Sequence, residues 1–157
     1  MKKYCVLILF FLAATLTVSA QKQKITLDDD TIMVDGQQYG ILEKKMGVGF
    51  HYTVRSMDGK ELMYLLFLEF NDPSEINSAN PKGNVPYFEV TFLGSGKKCE
   101  IPTATKKGLA KMIVENNLLK GNDVDAEAEK RFILINGTKF SEQKQSLQGP
   151  KVIIIEK

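Results

Sequence analysis

Apolar and polar residues are distributed differently in the two parts of the chain that follow residue 20. Up to about residue 101, short apolar stretches alternate with turn residues. Thr31-Ile32-Met33-Val34 runs into Asp35-Gly36, and Gln37 to Glu43 continues beyond it. Asp-Gly between two such runs is a strong hairpin signal, because both residues tolerate the positive φ angles of a tight turn. The same dipeptide recurs as Asp58-Gly59, between Val48–Ser56 and Glu61–Phe70. Within the earlier of these two runs Phe50, Tyr52 and Val54 fall on one face, and His51, Thr53 and Arg55 on the other, as in a strand with one wet face. Glu61–Phe70 is apolar on both faces, with Met63, Leu65 and Phe67 on one side and Leu62, Tyr64, Leu66, Leu68 and Phe70 on the other. A strand of that kind belongs in the centre of a sheet and needs cover twice. Tyr87–Leu93 forms another strand with Phe88, Val90 and Phe92 inward, and Gly94-Ser95-Gly96-Lys97 turns it into Lys98–Ile101.

After Pro102 the period lengthens. Leu109, Met112, Ile113 and Asn116 follow helical spacing, widened by Ala110, Val114 and Leu118. Thr103 or Thr105 is placed to cap this helix, and Gly121 to end it in a left-handed conformation. A second helix is expected from about Asp125, with Asp123 or Asp125 as cap, Ala128, Phe132 and Ile135 on one buried face, and Asn136-Gly137 as its end. Phe132–Ile135 before Asn-Gly would also suit a hairpin, but the Ala- and Glu-rich approach favours a helix. Val152–Ile155, after Gly149-Pro150, reads as a possible last strand. The expected fold is therefore α+β: an antiparallel β-meander of about six to eight strands, curled into a half-barrel, followed by two C-terminal helices.

Residues 1–20 differ from all of this. Lys2 and Lys3 precede an unbroken apolar run from Tyr4 to Ala14, and Val18-Ser19-Ala20 supplies small residues just before the polar Gln21-Lys22-Gln23. Charged, apolar and small-residue parts in that order make a cleavable secretory signal. A membrane anchor would need about 20 predominantly apolar residues, more than this run offers. No cysteine follows the run to serve as a lipid-attachment site. The expectation is an exported protein, periplasmic or secreted, with residues 21–157 as one domain and no transmembrane segment after cleavage. Of the 21 basic residues, Lys2 and Lys3 belong to the leader, so residues 21–157 balance the 19 acidic residues and are formally neutral. A neutral chain has no net electrostatic reason to seek nucleic acid. Cys5 also belongs to the leader, which leaves Cys99 alone, so no disulfide can form within the domain. A buried small hydrophobe is the expected role for Cys99.

Candidate chemistry is sparse. His51 is the one histidine and lies on the polar face of its strand, so it reads as a surface residue and not as a catalytic base. Asp28-Asp29-Asp30 reads as a turn, since successive side chains of an extended chain diverge. Asn122, Asp123, Asp125 and Glu127 lack the glycine and closing glutamate of a calcium loop and suit helix capping. Gly94–Lys97 leads into a strand and not a helix, so it is no phosphate loop. No catalytic residue, metal ligand set or cofactor is expected. The stretch Asn71–Pro86 is long for a connection in a small domain, and such loops are mobile connectors or binding surfaces. Asn71, Asp72, Glu75, Asn77, Asn80 and Lys82 are its candidate contact residues. Three functions are compatible with this pattern. The foremost is a non-enzymatic module that binds a protein or cell-envelope component. The others are a carrier of a small apolar, lipid-like ligand and a hydrolase using Glu69 with Asp72 or Glu75.

Overall fold

A computed structural model of the chain describes residues 23–148 apart from Val48. The expected signal peptide and the expected strand Val152–Ile155 lie outside the described residues. The fold is α+β. Seven strands form one open antiparallel sheet in chain order: β1 (Ile25–Asp28), β2 (Thr31–Val34), β3 (Gln37–Gly47), β4 (Gly49–Arg55), β5 (Glu61–Asn71), β6 (Asn84–Phe92) and β7 (Lys98–Pro102). Among the described residues the meander does not close, because β1 and β7 stand as its two edges. Helix α1 (Lys106–Glu115) follows, then a two-stranded hairpin of β8 (Leu119–Lys120) and β9 (Asp123–Val124). A bent helical unit ends the described chain, formed by α2 (Ala126–Asn136) and α3 (Lys139–Leu147).

The register explains the core. Leu42, Val54, Met63 and Phe92 stand in one row across β3 to β6, and Tyr52, Leu65, Val90 and Cys99 stand in the next across β4 to β7. Against these rows α1 presses Leu109, Ala110, Ile113 and Val114, while α2 contributes Ala128 and Phe132. Each large side chain so buried stabilises the fold by about 1.5–3 kcal/mol. The α1 N-terminus is capped by the Thr105 side chain, which accepts from the Gly108 N–H at 3.1 Å, and α2 by Asp125, which accepts from Ala128 at 2.8 Å. Lys106 ties α1 to the opposite end of the chain, pairing with Asp30 and donating to the Asp29 carbonyl at 2.8 Å.

Several local expectations change. Asp29-Asp30 is itself the turn of a hairpin, with Asp28 opposite Thr31, so a strand precedes the first one read from the sequence. Asp35-Gly36 forms the two-residue turn, with φ of 51° and 83°. Asp58-Gly59 does not repeat it. There the Gly59 N–H reaches the Ser56 carbonyl at 3.0 Å, only Gly59 has positive φ, and Lys60 pairs its carbonyl with the Ser56 N–H. This is a three-residue loop with a bulge, which absorbs the extra residue carried by β5. Gly121 does not end α1. Asn117, at φ 52°, does so, and Gly121 turns the β8–β9 hairpin instead.

Ile135 is also not part of the buried face of α2, since it is 76% exposed beside Leu134 at 84%. It lies one turn past Phe132 and lines an open cleft together with Met112 of α1. Phe132–Ile135 is helical, not a hairpin.

Candidate functional site

The loop from Asn71 to Asn84 is braced throughout by its own polar side chains. The Asp72 N–H donates to the Gly83 carbonyl at 2.8 Å, which closes the base of the loop. Asp72 then caps a short 3-10 turn, Pro73–Glu75, accepting from the Ser74 N–H at 2.8 Å and the Ser74 hydroxyl at 2.7 Å. Asn77 accepts from the Ala79 and Asn80 N–H groups at 2.9 and 3.0 Å. Asn80 accepts from the Asn84 N–H at 2.9 Å and donates to the Asn84 carbonyl at 3.1 Å. Asn71 donates to the Lys82 carbonyl and to the Asn84 side chain, both at 2.8 Å. Asparagine suits this work because its side chain can imitate a backbone turn.

Of the six candidate contact residues, then, Asn71, Asp72, Asn77 and Asn80 hold the loop in shape. Glu75 and Lys82 are exposed on it, and Ile76, at the end of the 3-10 turn, is 56% exposed. Sequence patterning does not single out Ile76, because one aliphatic residue among polar ones carries no period.

Beside this loop lies an open cleft of about 500 Å³, lined by Glu69, Phe70, Asn71 and Pro73 from the β5 end and by Lys144, Leu147 and Gln148 from α3. The sequence pattern does not point to the α3 residues. In Lys139–Leu147 only Phe140 and Leu147 are apolar, too few to reveal a helical stripe. The loop and α3 are joined where Gln143 donates to the second oxygen of Asp72 at 2.6 Å. With hydrogen bonds from Ser74 and Gln143, the Asp72 carboxyl is held below its ordinary pKa and stays ionised.

The three carboxylates considered for hydrolysis do not share the cleft. Glu69 lines it, Asp72 is turned to Ser74 and Gln143, and Glu75 is not among the lining residues. Both Asp72 oxygens already accept strong hydrogen bonds, which leaves neither poised to take a proton. Among the described residues no group of three or more His, Cys, Asp or Glu side chains is arranged to hold a metal ion. The His51 ring lies against Tyr64, with centroids 4.4 Å apart and planes inclined by 35°, on the sheet face away from α1 and α2. The same face carries an ion-pair network in which Arg55 meets Glu43 at 2.9 Å and Glu61 at 2.7 Å. Cys99 is fully buried, and its thiol is pushed up to about 12 by burial and, secondarily, by Glu100.

Comparison with protein-family models, with curated proteins and with solved structures finds no match for this chain. The class is defined by the fold alone: an α+β domain built on an open seven-stranded meander. Among the described residues no helix is long and apolar enough to cross a membrane.

Proposed function

We propose that the protein is an exported, non-enzymatic binding module that engages a protein or cell-envelope component through the Asn71–Asn84 loop. The observation that carries this reading is the bracing of the loop. A loop fixed before encounter loses little conformational entropy on binding, so its outward side chains, Glu75, Ile76 and Lys82, act as a preformed contact surface. The adjoining cleft, with Glu69 and Lys144 of opposite charge at its walls, gives the surface a recess. The carrier reading is less well supported, because the space between sheet and helices is occupied by fully buried Leu109, Ile113, Phe92 and Val54. The hydrolase reading is less well supported because its carboxylates are apart or already engaged.

Two measurements test the proposal. N-terminal sequencing of the protein recovered from its host should begin at Gln21. A photo-crosslinking side chain at Ile76 should trap a defined envelope partner, whereas the same group at Gly94, in the β6–β7 turn, should not. The trapped species should disappear when Asn77 and Asn80 are both replaced by Ala. Equal crosslinking from both sites, or a bound lipid in the native mass spectrum, would defeat the reading.

A further inference from the structure

Helix α3 is attached differently from every other long element of the fold. It lies on the face of the sheet opposite α1 and α2, and the chain reaches that face by passing around the β7 edge, where the Gly137 carbonyl accepts from the Glu100 N–H at 2.9 Å. None of its residues is buried. Contacts to the sheet and to the Asn71–Asn84 loop hold it. The Phe140 ring stacks on Tyr87, centroids 5.0 Å apart and nearly parallel at 12°. Gln143 donates to Asp72. The Glu100 carboxylate accepts the Phe140 and Ser141 N–H groups at 2.8 and 3.0 Å and also the Ser141 hydroxyl. Thr138, at the N-cap position, makes no side-chain capping bond, so the sheet caps this helix in place of its own sequence. Among the described residues, the side-chain hydrogen bonds of the buried Glu100 all come in turn from α3.

The joint is suited to movement. Gly137 has φ 57° and ψ −147°, a region reached almost only by glycine, and nothing lies within 4 Å of where its β-carbon would stand. A nine-residue helix is marginal in water on its own and depends on its docking contacts.

We propose that α3 is a hinged strap. It lifts as one unit about Gly137 while the sheet, α1 and α2 stay folded, and lifting uncovers a sheet-face site made of Phe70, Tyr87, Asp72 and Glu100. Covered, Tyr87 and Glu100 are almost inaccessible. The proposal stands whether or not the Asn71–Asn84 loop is a contact surface.

Native-state hydrogen exchange of the mature protein, followed by mass spectrometry over a series of low guanidinium concentrations, tests it. Peptides covering 139–147 should share one shallow denaturant dependence, as in a sub-global opening, while those covering Leu109–Val114 should show the steep dependence of global unfolding. Glu100→Gln and Phe140→Ala should each speed exchange in 139–147 at least tenfold and leave Leu109–Val114 unchanged. Trypsin should then cut first after Lys139 and Lys144. If α3 in the unaltered protein follows the same denaturant dependence as α1, the strap does not open separately and the proposal is overturned. That measurement decides even if either variant fails to fold.

Discussion

The Tyr39 hydroxyl donates to the Leu119 carbonyl at 3.1 Å and accepts the Leu119 N–H at 3.2 Å. One phenol on β3 thereby satisfies both backbone groups of a buried residue eighty positions away. Leu119 also lies over Gly40, where a β-carbon would stand 2.7 Å from its Cδ1. The pairing fixes the β8–β9 hairpin against the sheet and sets the approach from which α2 begins. Tyr39→Phe keeps the ring and strands both backbone groups. It should cost about 1–3 kcal/mol in equilibrium urea unfolding, the penalty of unsatisfied buried polar groups. A loss near zero would show that water replaces the hydroxyl freely.

Alkaline pH should weaken the fold in a definite order. Burial, helped by Glu100, raises the Cys99 thiol from 9.0 to about 12, so the folded protein keeps a proton that the unfolded chain releases. Stability from this source is complete below pH 9 and is lost as pH rises from 9 towards 12. The Tyr39 and Tyr87 hydroxyls are shifted upward too, chiefly by burial, and add to the loss above pH 10. Urea midpoints measured from pH 7 to 11 should be level to about pH 9 and then fall, and Cys99→Ala should delay the fall. The thiol should react with an aromatic disulfide reagent only after unfolding.

The meander was legible because its signals are local. Alternation set the core faces of β4 and β6, and the double-sided pattern of β5 pointed to cover on two sides. On the second face α3 covers only the end of the strand, where Phe140 stacks on Tyr87 beside Phe70, while Tyr64, Leu66 and Leu68 stay half-buried. The helix itself was hidden in the sequence, because its cap is Glu100, a residue of another element, and its apolar content is two residues. The difference between Asp35-Gly36 and Asp58-Gly59 was hidden as well, since one dipeptide serves two loop lengths and only the register of β5 chooses between them. At the candidate site, chain position indicated which loop to inspect. It could not separate asparagines that brace the loop from side chains that face outward, because both kinds are polar.

Phe132 and Ile135 are separated in the same way. They share a helical face by spacing, yet Phe132 is 3% exposed and packs edge-on against Phe92, whereas Ile135 stands in the open. Phe132→Ala should destabilise by about 3–5 kcal/mol, the cost of emptying a packed aromatic site. Ile135→Ser should change stability by no more than about 0.5 kcal/mol, as surface substitutions do. Thermal unfolding of the two variants side by side measures this, and comparable losses would mean that Ile135 is covered in solution.

Gly83 gives the sharpest test of the braced loop. Its φ is 63°, and a β-carbon there would stand 2.1 Å from the Asp72 carbonyl oxygen, while its own carbonyl accepts the Asp72 N–H. Gly83→Ala therefore adds a left-handed alanine and a backbone collision at the one point where the two ends of the loop meet. Strain of this kind costs about 1–3 kcal/mol, and relief requires Asp72 to move away from Ser74 and Gln143. The variant should lose stability, and exchange should quicken both in residues 72–83 and in α3, whose Gln143 loses its acceptor. Gly94→Ala is the control, because nothing lies within 4 Å of that position and its φ is ordinary. If the two alanines are equally harmless, the loop adjusts at no cost, and a contact surface fixed before binding is no longer tenable.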